Sequence, residues 1–215
     1  MIHARRATRV AAAFAMALAW GSVANAATGQ QSFATCAACH GARGEGNAAT
    51  GAPAIAGQQL AYLQRQLANF RTGLRGAHKD DMYGAQMRAG AQAVLRDEKA
   101  SAAVAAYVAA LPATRARPVG KFDARNGNNL YQGKCGACHG GKGEGNAALF
   151  APRLAGLDAA YIKRQFGNFR HGMRGAQAQD KYGRQMALMA ATLATERELD
   201  DVIGYIHSAG TPGKP

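Results

Sequence analysis

The chain has 215 residues, which allows one large domain or two small ones, and it carries a formal net charge of +13. The excess of lysine and arginine favours encounters with acidic surfaces, and the sequence contains no recognised nucleic-acid-binding module. Beyond the first two dozen residues, no apolar run is long enough for a membrane-spanning helix.

The amino terminus, residues 1–26, has the order of parts of a secretory signal peptide. A basic start precedes the mostly apolar stretch Val10–Val23, which is shorter than the roughly 20 residues that a spanning helix needs. The triplet Ala24-Asn25-Ala26 follows, so we expect cleavage after Ala26. Cleavage removes three arginines and no acid, which lowers the net charge to +10. We therefore expect an exported protein that works outside the cytoplasm; a retained membrane anchor is the alternative.

The next elements are a Cys-x-x-Cys-His motif, a glycine- and alanine-rich loop, and two helices predicted from apolar residues at helical spacing. One helix has Leu60, Leu63, Leu67 and Phe70 on a face, and the other has Val104, Tyr107, Val108 and Leu111. Prolines and a glycine then break any regular element between Leu111 and Phe122. No convincing strand is predicted. Each half has few large apolar residues for its size, so something other than side chains must fill its centre.

The second half of the chain repeats the first. A displacement of 99 residues holds without a gap from the first motif to Met186, and the matched pairs include Pro53/Pro152, Tyr62/Tyr161, Gln66/Gln165, Arg75/Arg174 and Tyr83/Tyr182. One residue is lost before Tyr107 and Tyr205, and a capping box of Thr195 and Glu198 opens the last helix. A duplication explains this pattern. We expect an N-terminal domain at residues 27–111, a linker at 112–122 and a C-terminal domain at 123–215, since the repeat is too long for a solenoid unit.

All four cysteines lie in the two motifs, Cys36-Ala37-Ala38-Cys39-His40 and Cys135-Gly136-Ala137-Cys138-His139. Two thiols on one helical turn can bond the two vinyl groups along one edge of a porphyrin, and the adjacent histidine then ligates iron. We predict two covalently bound haem c groups, with thioethers at Cys36, Cys39, Cys135 and Cys138 and axial ligands at His40 and His139. Three other uses of these cysteines fit the sequence less well. A redox dithiol needs a βαβ context, which is absent, and a zinc site would need the two motifs brought together. Disulfides within each motif would close very small loops and stabilise little.

The repeat also selects the sixth iron ligand. Of the five methionines beyond the signal region, only Met87 and Met186 coincide when the halves are superimposed in register. No second histidine coincides in the same way. We therefore predict Met87 and Met186 as axial ligands, with Met189 as the rival of Met186 one helical turn further on. A thioether ligand raises the reduction potential of haem iron, as suits an electron carrier.

Several other repeated residues have candidate roles around the haems. The carbonyls of Pro53 and Pro152, each 13 residues after a haem histidine, are candidates to accept the Nδ1 proton, unless the prolines only shape the loop. Tyr62 and Tyr161 are candidates to bind haem propionates or bridge the domains. Four arginines are candidates for the same two roles, and a solvated helix face is the alternative for each. These are Arg65, Arg164, Arg71 and Arg170.

With each motif followed by a methionine more than 40 residues later, the chain resembles class I cytochromes c. The segments Pro53–Gln58, Tyr62–Leu67 and Phe70–Gly73, with their counterparts from Pro152 onward, resemble the cytochrome c4 family over essentially the whole mature chain. The resemblance implies an all-α fold of two tandem class I cytochrome c domains that pack about a pseudo-twofold axis, with the haems near the interface. It also implies a periplasmic electron carrier, often loosely associated with the membrane, that feeds a terminal oxidase or another respiratory enzyme.

We therefore predict one-electron transfer between redox proteins without substrate chemistry. The net charge favours partners with an acidic docking surface, and neither a nucleic acid nor a small-molecule substrate is expected. One alternative is a haem enzyme, such as a dihaem peroxidase or a thiosulfate dehydrogenase, which would need an open or unusual sixth ligand. The other is a permanent cytochrome subunit of a dehydrogenase or oxidase complex.

Overall fold

The computed structural model describes residues 29–115 and 120–210. The predicted signal peptide, and part of the predicted linker, lie outside the described residues. Within them the chain is helical, and the β contacts are two isolated bridges at equivalent places, Asn47 with Ala52 and Asn146 with Ala151. No helix of the described part is long and apolar enough to cross a membrane. The prediction of an all-α fold is confirmed.

The helices follow the same order in each half. The first half contains α1 over residues 29–40, α2 Leu60–Thr72, α3 Met82–Val94 and α4 Glu98–Ala110. The second half contains α5 Ala124–Lys134, α6 Gly136–His139, α7 Ala159–Arg170, α8 Lys181–Ala190 and α9 Glu196–Ala209. Thus α5 and α6 together correspond to α1, and α7, α8 and α9 correspond to α2, α3 and α4.

Side-chain caps fix where most of these helices begin. The carboxylates of Asp81 and Asp180 accept hydrogen bonds from the backbone N–H groups of Gly84 and Gly183, at the starts of α3 and α8. Such caps satisfy backbone donors that a helix leaves unpaired at its first turn. The predicted capping box at Thr195 is present, with reciprocal bonds to Glu198, so the start predicted for α9 is confirmed.

Each half has an apolar core of its own, built largely from the faces predicted by periodicity. Leu60, predicted on the apolar face of α2, is instead 42% exposed because it lies at the first position of the helix. The first core contains Phe33, Leu63, Leu67, Phe70, Leu95, Val104 and Val108. The second contains Tyr131, Phe166, Leu193, Leu199, Val202, Ile203 and Ile206. The first cysteine of each motif and the methionine predicted as its axial ligand pack against the core of their own half.

The first and last helices of each half cross at a glycine. A Cβ atom on Gly29 would lie 2.4 Å from the carbonyl oxygen of Ala103, and one on Gly127 would lie 2.1 Å from that of Asp201. These two glycines are 98 residues apart, whereas the haem-motif cysteines are 99 apart. The second half thus has one extra residue between the crossing and its motif, and the chain absorbs it where the helix breaks at Cys135 between α5 and α6.

This crossing yields a stability prediction with a control in the same helix. We expect Gly127→Ala to lower the free energy of unfolding by about 1–3 kcal/mol, because the new methyl group overpacks the contact with α9. Gly133→Ala, also in α5, meets nothing within 4 Å, and should raise stability by about 0.5–1 kcal/mol through helix propensity. Chemical denaturation of the haem-loaded protein measures both; equal effects of the two substitutions would contradict the crossing.

The two halves pack through equivalent segments, which gives the predicted pseudo-twofold arrangement. Arg65 Nη2 donates to the carbonyl oxygen of Phe150 over 2.8 Å. In the reciprocal contact, Arg164 Nη2 donates to the carbonyl oxygen of Gly51 over 2.5 Å. Arg65 lies on α2 and Arg164 lies on α7. Each reaches the loop after the haem motif of the other half.

Candidate haem-binding sites

Each half contains one deep cavity that opens beside the interface. The first has a volume of about 1520 Å³ and the second about 1370 Å³, both measured out to their open mouths. Each cavity is lined mainly by its own half, but α2 or α7 of the other half closes one side. Tyr62, Arg65 and Gln66 line the second cavity, and their counterparts Tyr161, Arg164 and Gln165 line the first.

The Cys-x-x-Cys-His motifs lie along the cavity walls. Cys36, Cys39 and His40 line the first cavity, and their counterparts Cys135, Cys138 and His139 line the second. None of the four cysteines forms a disulfide, and the described residues contain no cluster of three or more histidine, cysteine or acidic side chains suited to a metal ion. The arrangement leaves both sulfurs of each motif beside the same cavity as the histidine.

The loop after each motif orients the histidine ring. Nδ1 of His40 lies 2.9 Å from the carbonyl oxygen of Pro53, and Nδ1 of His139 lies 2.9 Å from that of Pro152. A carbonyl oxygen can only accept, so Nδ1 carries the proton and Nε2 keeps its lone pair. Burial lowers the pKa of both imidazoles, and the proline carbonyl opposes that shift in part. Each ring is therefore neutral at neutral pH, which is the form that ligates iron.

A glycine in the left-handed region makes this loop possible. Gly46 has φ 87°, and a Cβ atom there would lie 2.6 Å from the backbone nitrogen of Ala54. Its backbone N–H donates to the carbonyl oxygen of His40 over 2.7 Å. Gly145 repeats the geometry in the second half. The repeated Gly-x-Gly sequence thus brings the proline carbonyl back over the histidine.

The methionines selected by register line the same cavities as the motif histidines. Met87 on α3 lines the first cavity and Met186 on α8 lines the second. Met189 also lines the second cavity, but it is 38% exposed, whereas Met186 packs against the core. Met82 on α3 and Met173 before α8 are not among the residues that line either cavity.

Two buried arginines meet at the interface between the cavities. Arg75 Nη1 donates to Gln66 Oε1 over 2.7 Å, and Arg75 Nη2 donates to Gln165 Oε1 over 2.9 Å. Arg174 Nη1 donates to Gln165 Oε1 over 2.6 Å, and Arg174 Nη2 donates to Gln66 Oε1 over 3.1 Å. These four residues form a closed arginine–glutamine ring in which each glutamine oxygen accepts from both halves.

The charge of this ring is balanced only in part: burial lowers the pKa of Arg75, but Tyr161, Tyr62 and the Asp81 carboxylate outweigh that effect and raise the pKa overall. Neither arginine forms an ion pair with a carboxylate among residues 29–115 and 120–210. Burial and the facing Arg75 guanidinium lower the pKa of Arg174, but guanidinium groups stay protonated in proteins. The buried Nε atoms of both residues lack an acceptor within the described structure. The Nε atoms of both arginines are therefore available as donors to a buried anion.

The role of this ring was not predicted from the sequence. The sequence shows Arg75 and Arg174 only as a matched pair of the repeat, and a charge kept in both halves next to apolar positions was the available signal. Their guanidinium groups stack over Phe70 and Phe169 at 4.4 and 4.2 Å from the ring centres. The stacking explains how two long cationic side chains are held inside the interface.

The four arginines with open roles separate into two groups. Arg65 and Arg164 bridge the domains, and they stack over Tyr182 and Tyr83 of the opposite half at 4.4 and 4.0 Å. Their Nε atoms are also buried without an acceptor in the described structure.

Arg71 and Arg170 instead make contacts within their own halves. Arg71 reaches Ser101 Oγ at 3.4 Å, and Arg170 pairs with Glu196 and the carbonyl oxygen of Leu193. None of these contacts reaches the other half.

One carbonyl of these bridges comes from a strained residue. Phe150 has φ 55°, while Gly51 at the matched position has φ 67°. A non-glycine residue in this left-handed region lowers the free energy of unfolding by about 1–2 kcal/mol. The Phe150 ring packs 5.1 Å from the ring of Tyr182.

The residues of each cavity fit a covalently attached haem. They supply two thiols for thioethers, a neutral imidazole with a free Nε2, a thioether sulfur and largely apolar walls. The unpaired guanidinium nitrogens can donate hydrogen bonds to the carboxylates of the porphyrin, which are the anionic groups of haem. The expectation that something other than side chains fills each half agrees with the size of the cavities.

Comparison with known proteins gives consistent matches over most of the chain. The family model for cytochrome c matches residues 26–112 and again residues 124–210. The chain is 33% identical to a thiosulfate dehydrogenase electron acceptor from Stutzerimonas stutzeri, over 81% of this chain and 79% of that protein. It is 32% identical to cytochrome c4 from Azotobacter vinelandii, over 70% of this chain and 74% of that protein. The crystal structure of reduced cytochrome c4 from Pseudomonas stutzeri superimposes with a TM-score of 0.67 at 29% identity, over 85% of this chain and 97% of that one.

Proposed function

The chain belongs to the cytochrome c family, as a cytochrome c4-type electron-transfer protein with two covalently bound haem c groups, and from this premise we propose that it is a periplasmic carrier between a respiratory donor and a terminal oxidase or another reductase. We propose residues 1–26 as its cleaved signal peptide, and residues 27–111 and 123–215 as its domains. It performs no substrate chemistry of its own.

The observation that carries this proposal is the repeated set of ligands around each cavity. In both halves a neutral histidine from the motif and a methionine from α3 or α8 line one cavity together with two cysteines. We assign the thioethers to Cys36, Cys39, Cys135 and Cys138, and the axial positions to His40 with Met87 and His139 with Met186. Two protein ligands on each iron leave no coordination position for a substrate, which supports a carrier over a peroxidase or a dehydrogenase.

When bound, haem c supplies a one-electron couple between ferric and ferrous iron. The protein side chains set the conditions for that couple. The proline carbonyls hold each imidazole in one tautomer and orientation. The methionine sulfurs favour the ferrous state. Arg75 and Arg174 would face the carboxylates of the bound group at the interface, and the apolar cavity walls would exclude water, which would strengthen every charge interaction inside.

The net charge of the chain supports partners with an acidic docking surface. Removal of the signal leaves an estimated +10, which four ionised haem carboxylates would reduce to about +6. Association with such a partner should slow as salt concentration rises. Peripheral attachment to anionic lipid is a second consequence that this charge supports.

A second candidate function follows from the relatives. Two of them are named as electron acceptors of thiosulfate dehydrogenase, at 33% and 32% identity. The specific alternative is therefore that the donor of this protein is a thiosulfate dehydrogenase, either as a diffusing enzyme or as a permanent complex.

Spectroscopy of the ferric protein, produced in a host with cytochrome maturation, tests the carrier function. We expect two covalently attached low-spin haems per chain, each with the long-wavelength sulfur-to-iron band. A high-spin haem, or one without that band, would instead indicate catalysis at that site. Stopped-flow mixing with a reduced thiosulfate dehydrogenase distinguishes this donor from another respiratory donor. Only the true donor should reduce both haems at a rate that depends on salt concentration.

The arginine–glutamine ring leads to a prediction about reduction potentials. We expect Arg75→Leu to lower the potential of the N-terminal haem, and Arg174→Leu that of the C-terminal haem, because loss of a buried positive charge favours ferric iron. Each shift should be on the order of 50 mV, close to a tenfold change in a one-electron equilibrium. Arg71→Leu, which removes an arginine bonded to Ser101, is the control with little shift. Spectroelectrochemical titration measures all three, and equal shifts in all would contradict the role of the ring.

A further inference from the structure

The loops that orient the two haem histidines differ in what reaches them from the opposite half. Gln58, just before α2 begins, is 6% exposed and lies against the loop that contains Pro152. Its Nε2 donates to the carbonyl oxygen of Arg153 over 2.9 Å, and its Oε1 accepts from the backbone N–H of Arg153 over 2.8 Å. The second half has Leu157 at the matched position. A leucine side chain has neither a donor nor an acceptor, so it cannot return this contact to the first half.

The contacts of the Gln58 amide allow only one orientation. Its Oε1 also accepts from the backbone N–H of Gln59 over 3.0 Å. Both neighbours of the oxygen are therefore donors, while the neighbour of the nitrogen is a carbonyl oxygen. Turning the amide over would set donors against donors and an acceptor against an acceptor. The buried oxygen of Gln58 thus faces the N–H of Arg153.

A single peptide group joins Gln58 to the haem histidine of the opposite half. The N–H of Arg153 and the carbonyl oxygen of Pro152 belong to the same planar peptide. On one side this peptide donates to Gln58 Oε1. On the other side its oxygen accepts from His139 Nδ1 over 2.9 Å. Hydrogen bonds linked in this way polarise and strengthen one another, so Gln58 makes the Pro152 carbonyl a better acceptor for the His139 ring.

The equivalent peptide of the first half is not extended in this way. The carbonyl oxygen of Pro53 lies 2.9 Å from His40 Nδ1. The N–H of Ala54 belongs to the same peptide, and none of the described residues accepts a hydrogen bond from it. The duplication thus gives two histidines with the same hydrogen bond to a proline carbonyl, and in the described structure one of these bonds continues to a further acceptor.

We propose that Gln58 is a positioning residue for His139, that it acts through the peptide between Pro152 and Arg153, and that it lowers the reduction potential of the C-terminal haem. This inference rests on the proposed role of His139 as an iron ligand. A stronger hydrogen bond at Nδ1 raises the basicity of the imidazole, and a more basic ligand favours ferric iron. The N-terminal half thus tunes the haem of the C-terminal half, whereas Leu157 supplies no such acceptor for His40.

The variant Gln58→Met tests the proposal in the haem-loaded protein, because methionine keeps the length of the side chain and removes its amide. In a spectroelectrochemical titration, the C-terminal haem should become easier to reduce. Its ferric–ferrous equilibrium should change about threefold, or about 30 mV, since a tenfold change is about 59 mV. In NMR of the ferrous protein labelled at the histidine nitrogens, the ring N–H signal of His139 should move upfield. The potential of the N-terminal haem and the signal of His40 should stay unchanged.

Gln59→Met is the matched control, because Gln59 reaches the same loop through other backbone groups. Its amide lies 2.9 Å from the carbonyl oxygen of Ala151 and 2.9 Å from the backbone nitrogen of Asn146. Neither atom belongs to the peptide that bonds His139. We expect both potentials to stay unchanged in this variant. Equal shifts from Gln58→Met and Gln59→Met would overturn the proposal, because both glutamines would then only hold the loop in place.

A shift confined to the N-terminal haem would also overturn the proposal, because Gln58 lines the first cavity and would then act only as part of that wall. The wild type supplies a measurement that needs no folded variant. Its His139 ring N–H should resonate downfield of that of His40, and equal or reversed positions would contradict the role of Gln58. Haem content is measured in parallel. If the wild type carries two low-spin haems, unchanged potentials in Gln58→Met refute the role of Gln58 alone, whereas a wild type without them refutes the carrier function.

Discussion

Replacing His139 by alanine should remove most of the ordered structure of the C-terminal half. Its ring is buried against Pro152, and it holds the cofactor that fills the centre of that half. We expect the yield of covalently attached haem to fall from two towards one per chain, and the unfolding free energy of that half to drop by about 5 kcal/mol or more, which is comparable to the whole stability of a small domain. His40→Ala should do the same to the N-terminal half.

Haem quantification by pyridine haemochrome, together with circular dichroism, measures this outcome. His171→Ala is the control, because that histidine is exposed at the end of α7, and it should leave two haems and an unchanged melting curve. A His139→Ala protein that keeps two low-spin haems and wild-type stability would refute the assignment of this ligand.

The second large effect concerns the methionines. We expect Met186→Ala to lower the potential of the C-terminal haem by on the order of 0.1 V, because axial ligands set potentials over a range of about 0.8 V. Met87→Ala should act equally on the N-terminal haem. Either change opens a coordination position, so the affected iron should bind added cyanide or imidazole while the other iron does not.

Met189→Ala decides between the two candidate sulfurs in the second cavity. Both methionines line that cavity, but only Met186 occupies the position that matches Met87. Magnetic circular dichroism of the ferric protein should therefore show both sulfur-to-iron bands in Met189→Ala and one band in Met186→Ala. The opposite pattern would transfer the ligand role to Met189.

Features written in local sequence could be predicted. The haem motifs, the helical faces and the capping box at Thr195 depend on residues within one or two turns, and the structure places them as expected. The assignment of Met87 and Met186 as ligands rests on the comparison of one half with the other and stays a prediction. The sequence leaves two roles open for the prolines, a hydrogen bond to the histidine or the shaping of the loop. The path of a loop over a ring depends on backbone angles, such as those of Gly46, that the sequence only suggests.

Features made by the contact between halves could not be predicted. The arginine–glutamine ring joins Gln66 to Arg174, which are 108 residues apart, and no local pattern marks such a pair. The bridging role of Arg65 likewise needs the carbonyl of Phe150 in an unusual backbone conformation. The sequence shows an arginine at the same position of both repeats, Arg75 and Arg174. Their burial depends on the packing of one domain against the other, which the sequence does not show.

The arginine–glutamine ring has a consequence for any attempt to divide the molecule. Each half contains one arginine and one glutamine of the ring, and each glutamine oxygen accepts from both arginines. In an isolated half, the buried guanidinium and the glutamine of the ring would be exposed to bulk water. That half would also lack the wall of its cavity that the other half supplies. Separately expressed fragments should accordingly behave as complementary pieces that recombine, rather than as two autonomous miniature cytochromes.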